Sequence, residues 1–172
     1  MSKATGLKPI ARQPKWSDEQ YLRPDLRRVG AAFKLQAPEM LPSAGTIEAA
    51  MEVMARTLGV NELVPSRIIT TPIEEVTAHF GLLKHLVEKR GEDRERYANY
   101  LLPSLQSPFE VWRVAYENGE YRNRYIGMFH GAKDSMVSVQ VNLTGALLWN
   151  VMFEAPVGMN RQRMGELIWT KK

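Results

Sequence analysis

From Phe109 onward the apolar period of this chain shortens from about 3.6 residues to two, and that change restricts its fold more than any other feature. The run PFEVWRVAY (108–116), the pair Asn118-Gly119 and the run YRNRYIGMF (121–129) spell an antiparallel hairpin. Asn-Gly supplies the backbone freedom that a tight strand reversal demands. SMVSVQV (135–141) then alternates, with Val137, Val139 and Val141 on one face, and a turn over Asn142 to Gly145 leads to ALLWNVMF (146–153). GELIWT (165–170) supplies a last short strand.

Upstream the pattern is helical. Ala49, Met51, Val53, Met54 and Leu58 recur at helical spacing, and Gly59 is placed to stop that helix. Thr71 suits an N-cap, Pro72 the first helical position, and Glu74 and Glu75 the first turn, which predicts a helix over 72–90 ending at Gly91. A third helix, Glu92 to Leu102, is closed by Pro103. Helices followed by hairpin-linked strands predict an α+β domain over residues 42–172. In it the N-terminal helices pack on one face of a four- to five-stranded antiparallel sheet. Residues 1–41 read instead as a basic, Pro-rich arm or linker, with Pro9, Pro14, Pro24 and Pro38 and no sustained apolar period. The expectation is an extended tether whose Trp16, Tyr21 and Phe33 dock on the domain or on a partner.

Net charge is +4, but residues 1–34 hold eight Lys/Arg against three Asp/Glu, so the remaining 138 residues sum to −1. Bulk charge therefore gives the domain no reason to bind nucleic acid, and local clusters must carry any such case. The absence of cysteine excludes disulfides, thiolate zinc and a cysteine nucleophile, and fits a reducing cytoplasm. No apolar run approaches the roughly 18 residues of a membrane span, so no membrane partner is expected.

On a helix over 72–90, Ile73, Val76, Phe80, Leu83 and Val87 form the apolar stripe, with His79 at its edge as a packing residue. His85 points away from that stripe beside Lys89, with Lys84 adjacent in sequence. His79 and His85 lie six apart and His130 sits in a hairpin loop, a spacing that does not build a zinc site; no metal or other cofactor is expected. Arg122 and Arg124 share one face of a strand about 6.8 Å apart, a separation suited to successive phosphates, with Tyr121 and Tyr125 on the other face. The plainer alternative pairs those arginines with Glu117 or Glu120 across the hairpin. Asn160, Arg161 and Arg163 add donors in a glycine-containing loop. No Gly-x-Ser-x-Gly elbow, Walker loop or dinucleotide turn is present, so phosphate chemistry here needs histidine and arginine.

LLKHLVEKR (82–90), RERYANYLLPSL (94–105), SPFEVW (107–112), YRNRYIGMF, LLWN (147–150) and NRQRMGELIW (160–169) together resemble the phage-associated barnase–EndoU–colicin–RelE-like nuclease domains, which accompany phage head-morphogenesis proteins. The resemblance implies a toxin-like, metal-independent endoribonuclease that cleaves RNA, tRNA among the candidates, through 2′-hydroxyl attack to a cyclic phosphate. The resemblance maps the family's histidine to His85 and its strand arginines to Arg122 and Arg124; their chemistry suits His85 to general acid or base work and the arginines to the phosphate, with Tyr125 a candidate for stacking or proton transfer. Lys84, Lys89, Arg90, Trp149, Asn150 and Arg163 become candidates for substrate binding. Trp149 shares its face with Val151 and Phe153, which leaves both core packing and base stacking open. An immunity protein, and a phage head or portal protein held through residues 1–41, become candidate partners, in a bacterial cytoplasm or a virion. The alternative is an inactive nuclease fold that serves as a binding module tied to such a partner by the arm. A nucleic-acid-binding regulator lacks any recognisable helix-turn-helix.

Overall fold

A computed structural model describes residues 7–172; the first six residues of the expected arm lie outside the described residues. The helix predicted up to Gly59 is α1, Ile47–Leu58. Thr46 Oγ1 accepts from the Ala49 N–H at 3.2 Å, and Gly59 closes it at φ +72°. The α+β class holds, but the sheet has seven strands rather than four or five. β1 (Ser66–Thr70) and β2 (Glu75–His79) account for the difference; β1 lies in the loop before the predicted second helix and β2 in that helix's first turns. The capping chemistry expected of Thr71 is present, but it closes a turn. Its Oγ1 accepts from the N–H groups of Ile73 and Glu74, while the Thr71 N–H donates to the Glu74 carbonyl. The β-branched runs on either side, Ile68-Ile69-Thr70 and Val76-Thr77, favour extended backbone, so the same hydrogen bonds serve a hairpin. His79 ends β2 exposed, its Nδ1 accepting from the Gly81 N–H, rather than packing on a helix. Of the expected helix only Leu83–Val87 is α-helical (α2), preceded by a 3-10 turn, Phe80–Leu82. The predicted third helix is a 3-10 segment, Arg94–Tyr100, running into α3, Leu101–Gln106. Pro103 sits in the first turn of α3, where its missing N–H is not needed.

The remaining strands follow the predicted hairpins: β3 (Glu110–Ala115), β4 (Tyr121–Gly127), β5 (Asp134–Asn142), β6 (Gly145–Glu154) and β7 (Glu166–Thr170), with a one-turn α4 (Pro156–Met159) before β7. The order is β1-β2-β6-β5-β4-β3-β7, antiparallel except for β2 against β6. That parallel pairing spans two rungs, Val76–Ala146 and Thr77–Leu147, so β2 leaves β6 unpaired beyond Leu147.

One face of the sheet carries Val111, Tyr125, Val137, Val139 and Val151 against α1, α2 and α3. The other face, which a one-sided helical layer would leave wet, presents Trp112, Val114, Ile126 and Met136, and the arm covers it. The described part of the arm is not an extended tether: it mixes short extended stretches with turns and two 3-10 helices, Leu26–Arg28 and Ala31–Phe33, and it is docked along its length. The Ile10 N–H donates to the Ala115 carbonyl, Trp16 N–H to Arg163, and Leu35 N–H to Met128. Leu26 is fully buried, a contribution of about 2 kcal/mol. Tyr21 meets Trp112 edge-on at 5.0 Å and Phe33 meets Phe109 at 5.9 Å. Of the two docking options for the arm aromatics, the structure shows the domain.

Asp134, at the start of β5, is buried with Oδ2 unpartnered, while Oδ1 accepts from the Phe129 N–H at 3.2 Å. Burial pushes its carboxyl up to about 6, against the pull of that N–H and of the Lys34 charge. A raised folded value means the folded chain holds the proton more tightly, so stability falls as pH rises from the unfolded value near 3.8 through 6. Asp134→Asn is therefore expected to stabilise the protein by on the order of 2 kcal/mol at pH 7.5 and by little at pH 4. Urea melts at the two pH values check this; an equal gain at both would contradict it.

Candidate active site

On β4 the even-numbered side chains turn toward the arm side of the sheet, so Arg122 and Arg124 stand together there. Between them lies Tyr116, from the end of β3. The Arg122 guanidinium sits 4.4 Å from the Tyr116 ring, and Arg124 Nη2 donates to the Tyr116 hydroxyl at 3.0 Å. Arg124 Nη1 donates to the Gln162 carbonyl at 3.2 Å. The expected pairing with Glu117 or Glu120 is not made; Glu120 instead accepts from Gln140 at 3.2 Å. Among the described residues neither arginine has a carboxylate partner. The Nε of each is buried without a partner, as is Oγ of Ser138, which lies opposite Arg124 on β5. Arg124 is 6% exposed and Ser138 4%. Such depth normally requires a counter-charge, because a guanidinium removed from water loses several kcal/mol of solvation.

The row continues to the histidine. Trp149 lies 5.7 Å from the Arg122 guanidinium and 4.9 Å, ring to ring, from His85. A β-bulge explains its placement: Asn150 opposes Ser138 and Leu148 opposes Val139, so Trp149 has no opposite number on β5. The bulge takes it out of the Val151–Phe153 face predicted from strict alternation. α2 brings His85 to the stretch of β6 that β2 leaves unpaired. The His85 Nδ1 lies 3.2 Å from Glu88 Oε1. A carboxylate at that distance holds the ring by its Nδ1 edge and leaves Nε2 as the nitrogen that a substrate can reach. Lys84 and Lys89 flank it, exposed.

Four predicted residues do not join this row. Tyr125 is odd-numbered on β4 and fully buried on the helical side. Its hydroxyl meets Thr71 Oγ1 at 3.1 Å, and burial pushes it up beyond the ordinary phenol range. Arg90 is occupied by Glu95, at 2.8 and 2.7 Å, and serves to hold the turn after α2. Those bonds bring the Glu95 carboxyl down to about 2 against the effect of burial. The Asn150 Oδ1 is taken by Arg94 Nη1 at 2.5 Å and by the Val151 N–H. Arg163 is fully buried and spent on structure, donating to Glu110 at 2.6 and 2.9 Å, to the Pro24 carbonyl and to Asn160. Sequence reasoning missed Tyr116, although its even spacing from Trp112 and Val114 places it on the arginine face. It also missed Ser138 and the orienting Glu88.

A family model described as phage-Barnase-EndoU-ColicinE5/D-RelE like nuclease2 matches residues 54–170. The chain belongs to this family. No curated protein and no solved structure matches it. The part of the chain that the family model covers includes His85, Tyr116, Arg122, Arg124, Ser138 and Trp149, and it begins within α1. The arm that closes the second face of the sheet lies outside it.

Proposed function

We propose that the chain is a metal-independent endoribonuclease whose substrate backbone binds at Arg122 and Arg124. The observation that carries this reading is a pair of guanidinium groups, one deeply buried, with no carboxylate among the described residues and with free Nε donors. A phosphodiester supplies the anion that the fold leaves out, and the same donors stabilise the extra charge that develops on its oxygens in the transition state. In the reaction the 2′-oxygen bonds to phosphorus while the bond to the 5′-oxygen breaks. His85 Nε2, with the imidazole oriented by Glu88, takes the 2′-hydroxyl proton or returns one to the leaving oxygen. The exposed Lys84 and Lys89 draw the polyanion toward α2, and Trp149 offers a partly exposed ring for a base. DNA, which lacks the 2′-hydroxyl, is not cut.

Incubation of total RNA or tRNA in EDTA tests this. Fragments ending in a 2′,3′-cyclic phosphate are expected, with His85→Ala slower by about 10²–10⁴-fold. Intact RNA, or equal cleavage by the variant, would rule the mechanism out. The alternative of a binding module tethered by its arm has less to rest on, since Trp16 and Tyr21 are engaged with the chain's own sheet.

A further inference from the structure

Three consecutive residues after α4 make three different sets of contacts. Arg163 enters the core against Glu110, Gln162 offers its carbonyl to Arg124, and Arg161 is exposed and lines a cleft of about 540 Å³. The opposite wall of that cleft is the arm, with Arg12, Lys15 and Trp16. Arg12, Lys15 and Arg161 have no carboxylate within ion-pairing distance among the described residues. The acid that also lines the cleft, Asp25, is neutralised by Arg27 at 2.7 Å and by the Asn160 amide. The wall is held firmly. The Gln13 side chain accepts from the Ala115 N–H and donates to the Ala115 carbonyl, so the arm is registered on β3 one residue before Tyr116.

This places a second cationic surface immediately beside the first, joined to it by the Gln162 carbonyl and by the Tyr116 end of β3. We propose that single-stranded RNA leaving the Arg122–Arg124 pair continues into this cleft, where Arg12, Lys15 and Arg161 hold the phosphates that flank the scissile bond. The inference rests on the ribonuclease reading and extends it: the arm is part of the substrate path and selects for length over sequence, since phosphate contacts carry no base information. A dinucleotide held at Arg124 is too short to profit from the cleft.

The test compares the full chain with an Arg12→Gln/Lys15→Gln/Arg161→Gln variant, by fluorescence anisotropy of 2′-O-methyl RNA, which cannot be cut. For a decanucleotide, affinity at low salt is expected to fall at least about tenfold, and the slope of log K against log salt to lose about two units, because each single-strand phosphate contact contributes about 0.7. The dinucleotide affinity is expected to change less than about twofold. An unchanged slope and affinity for the decanucleotide would overturn the proposal, even if ordinary RNA is cleaved normally. A wild-type chain that cuts no RNA while the variant still loses its salt slope would defeat the nuclease reading and leave the cleft assignment standing.

Discussion

Glu110→Gln is expected to cost about 3–5 kcal/mol of folding stability, because it leaves a buried guanidinium without its counter-charge. Glu110 is fully buried and accepts four hydrogen bonds: two from Arg163, one from Arg23 of the arm and one from the Trp112 indole. Burial alone would raise its carboxyl, but Arg163, Arg23 and Trp112 together bring it below the ordinary carboxylate value. A depressed folded value means that this stability is complete above the unfolded carboxylate range and is lost as pH falls through the folded one. The midpoint of a urea melt at neutral pH measures the loss. The double change Glu110→Leu/Arg163→Met, which removes both charges, is expected to be milder than Glu110→Gln alone. A single variant that loses less than about 1 kcal/mol would show that the pair does not hold the arm.

Arg124→Met is expected to separate activity from stability. Loss of a donor aimed at developing phosphate charge lowers RNA cleavage by about 10²–10³-fold, carried by kcat. The folded chain gains on the order of 1 kcal/mol, since a buried charge with no carboxylate partner is replaced by an apolar side chain of similar length. Arg124→Lys does not restore activity, because a single ammonium cannot reach both the Tyr116 hydroxyl and the Gln162 carbonyl while offering a further donor to substrate. Cleavage kinetics and a thermal melt on the same preparation decide the matter. A variant destabilised by more than about 2 kcal/mol would identify Arg124 as a structural residue.

The contrast between these two arginines shows where sequence reading stops. Arg124 was legible because a strand alternates, so Arg122 and Arg124 had to share a face once the Asn118-Gly119 hairpin was identified. Arg163 looked equally available, and its partner lies 53 residues upstream in a strand where Glu110 carries no local mark of burial. The N-cap of α1, Thr46, was not picked out, whereas its C-terminal end was legible because Gly59 acts through neighbours within a turn. β1 and β2 were not, because Thr71 satisfies the same backbone donors in a hairpin as at a helix start, and only the tertiary pairing of Val76 with Ala146 distinguishes the two. Trp149 fell between these cases. Its residue type suggested base stacking, but the bulge that points it at His85 depends on the register of two paired strands.

The lattice of contacts that holds the arm has a temporal side. Residues 7–35 leave the ribosome before the sheet they cover, yet Leu26 bonds to Asn160 across 134 positions, and Pro14 and Trp16 bond to Gly165 and Arg163. During translation these bonds wait for the 160–165 turn, although the partners of the arm on β3 and at Met128 are made earlier. The same turn supplies the carbonyl that fixes Arg124. A nascent chain therefore cannot complete the surroundings of Arg124 until the 160–165 turn has been made.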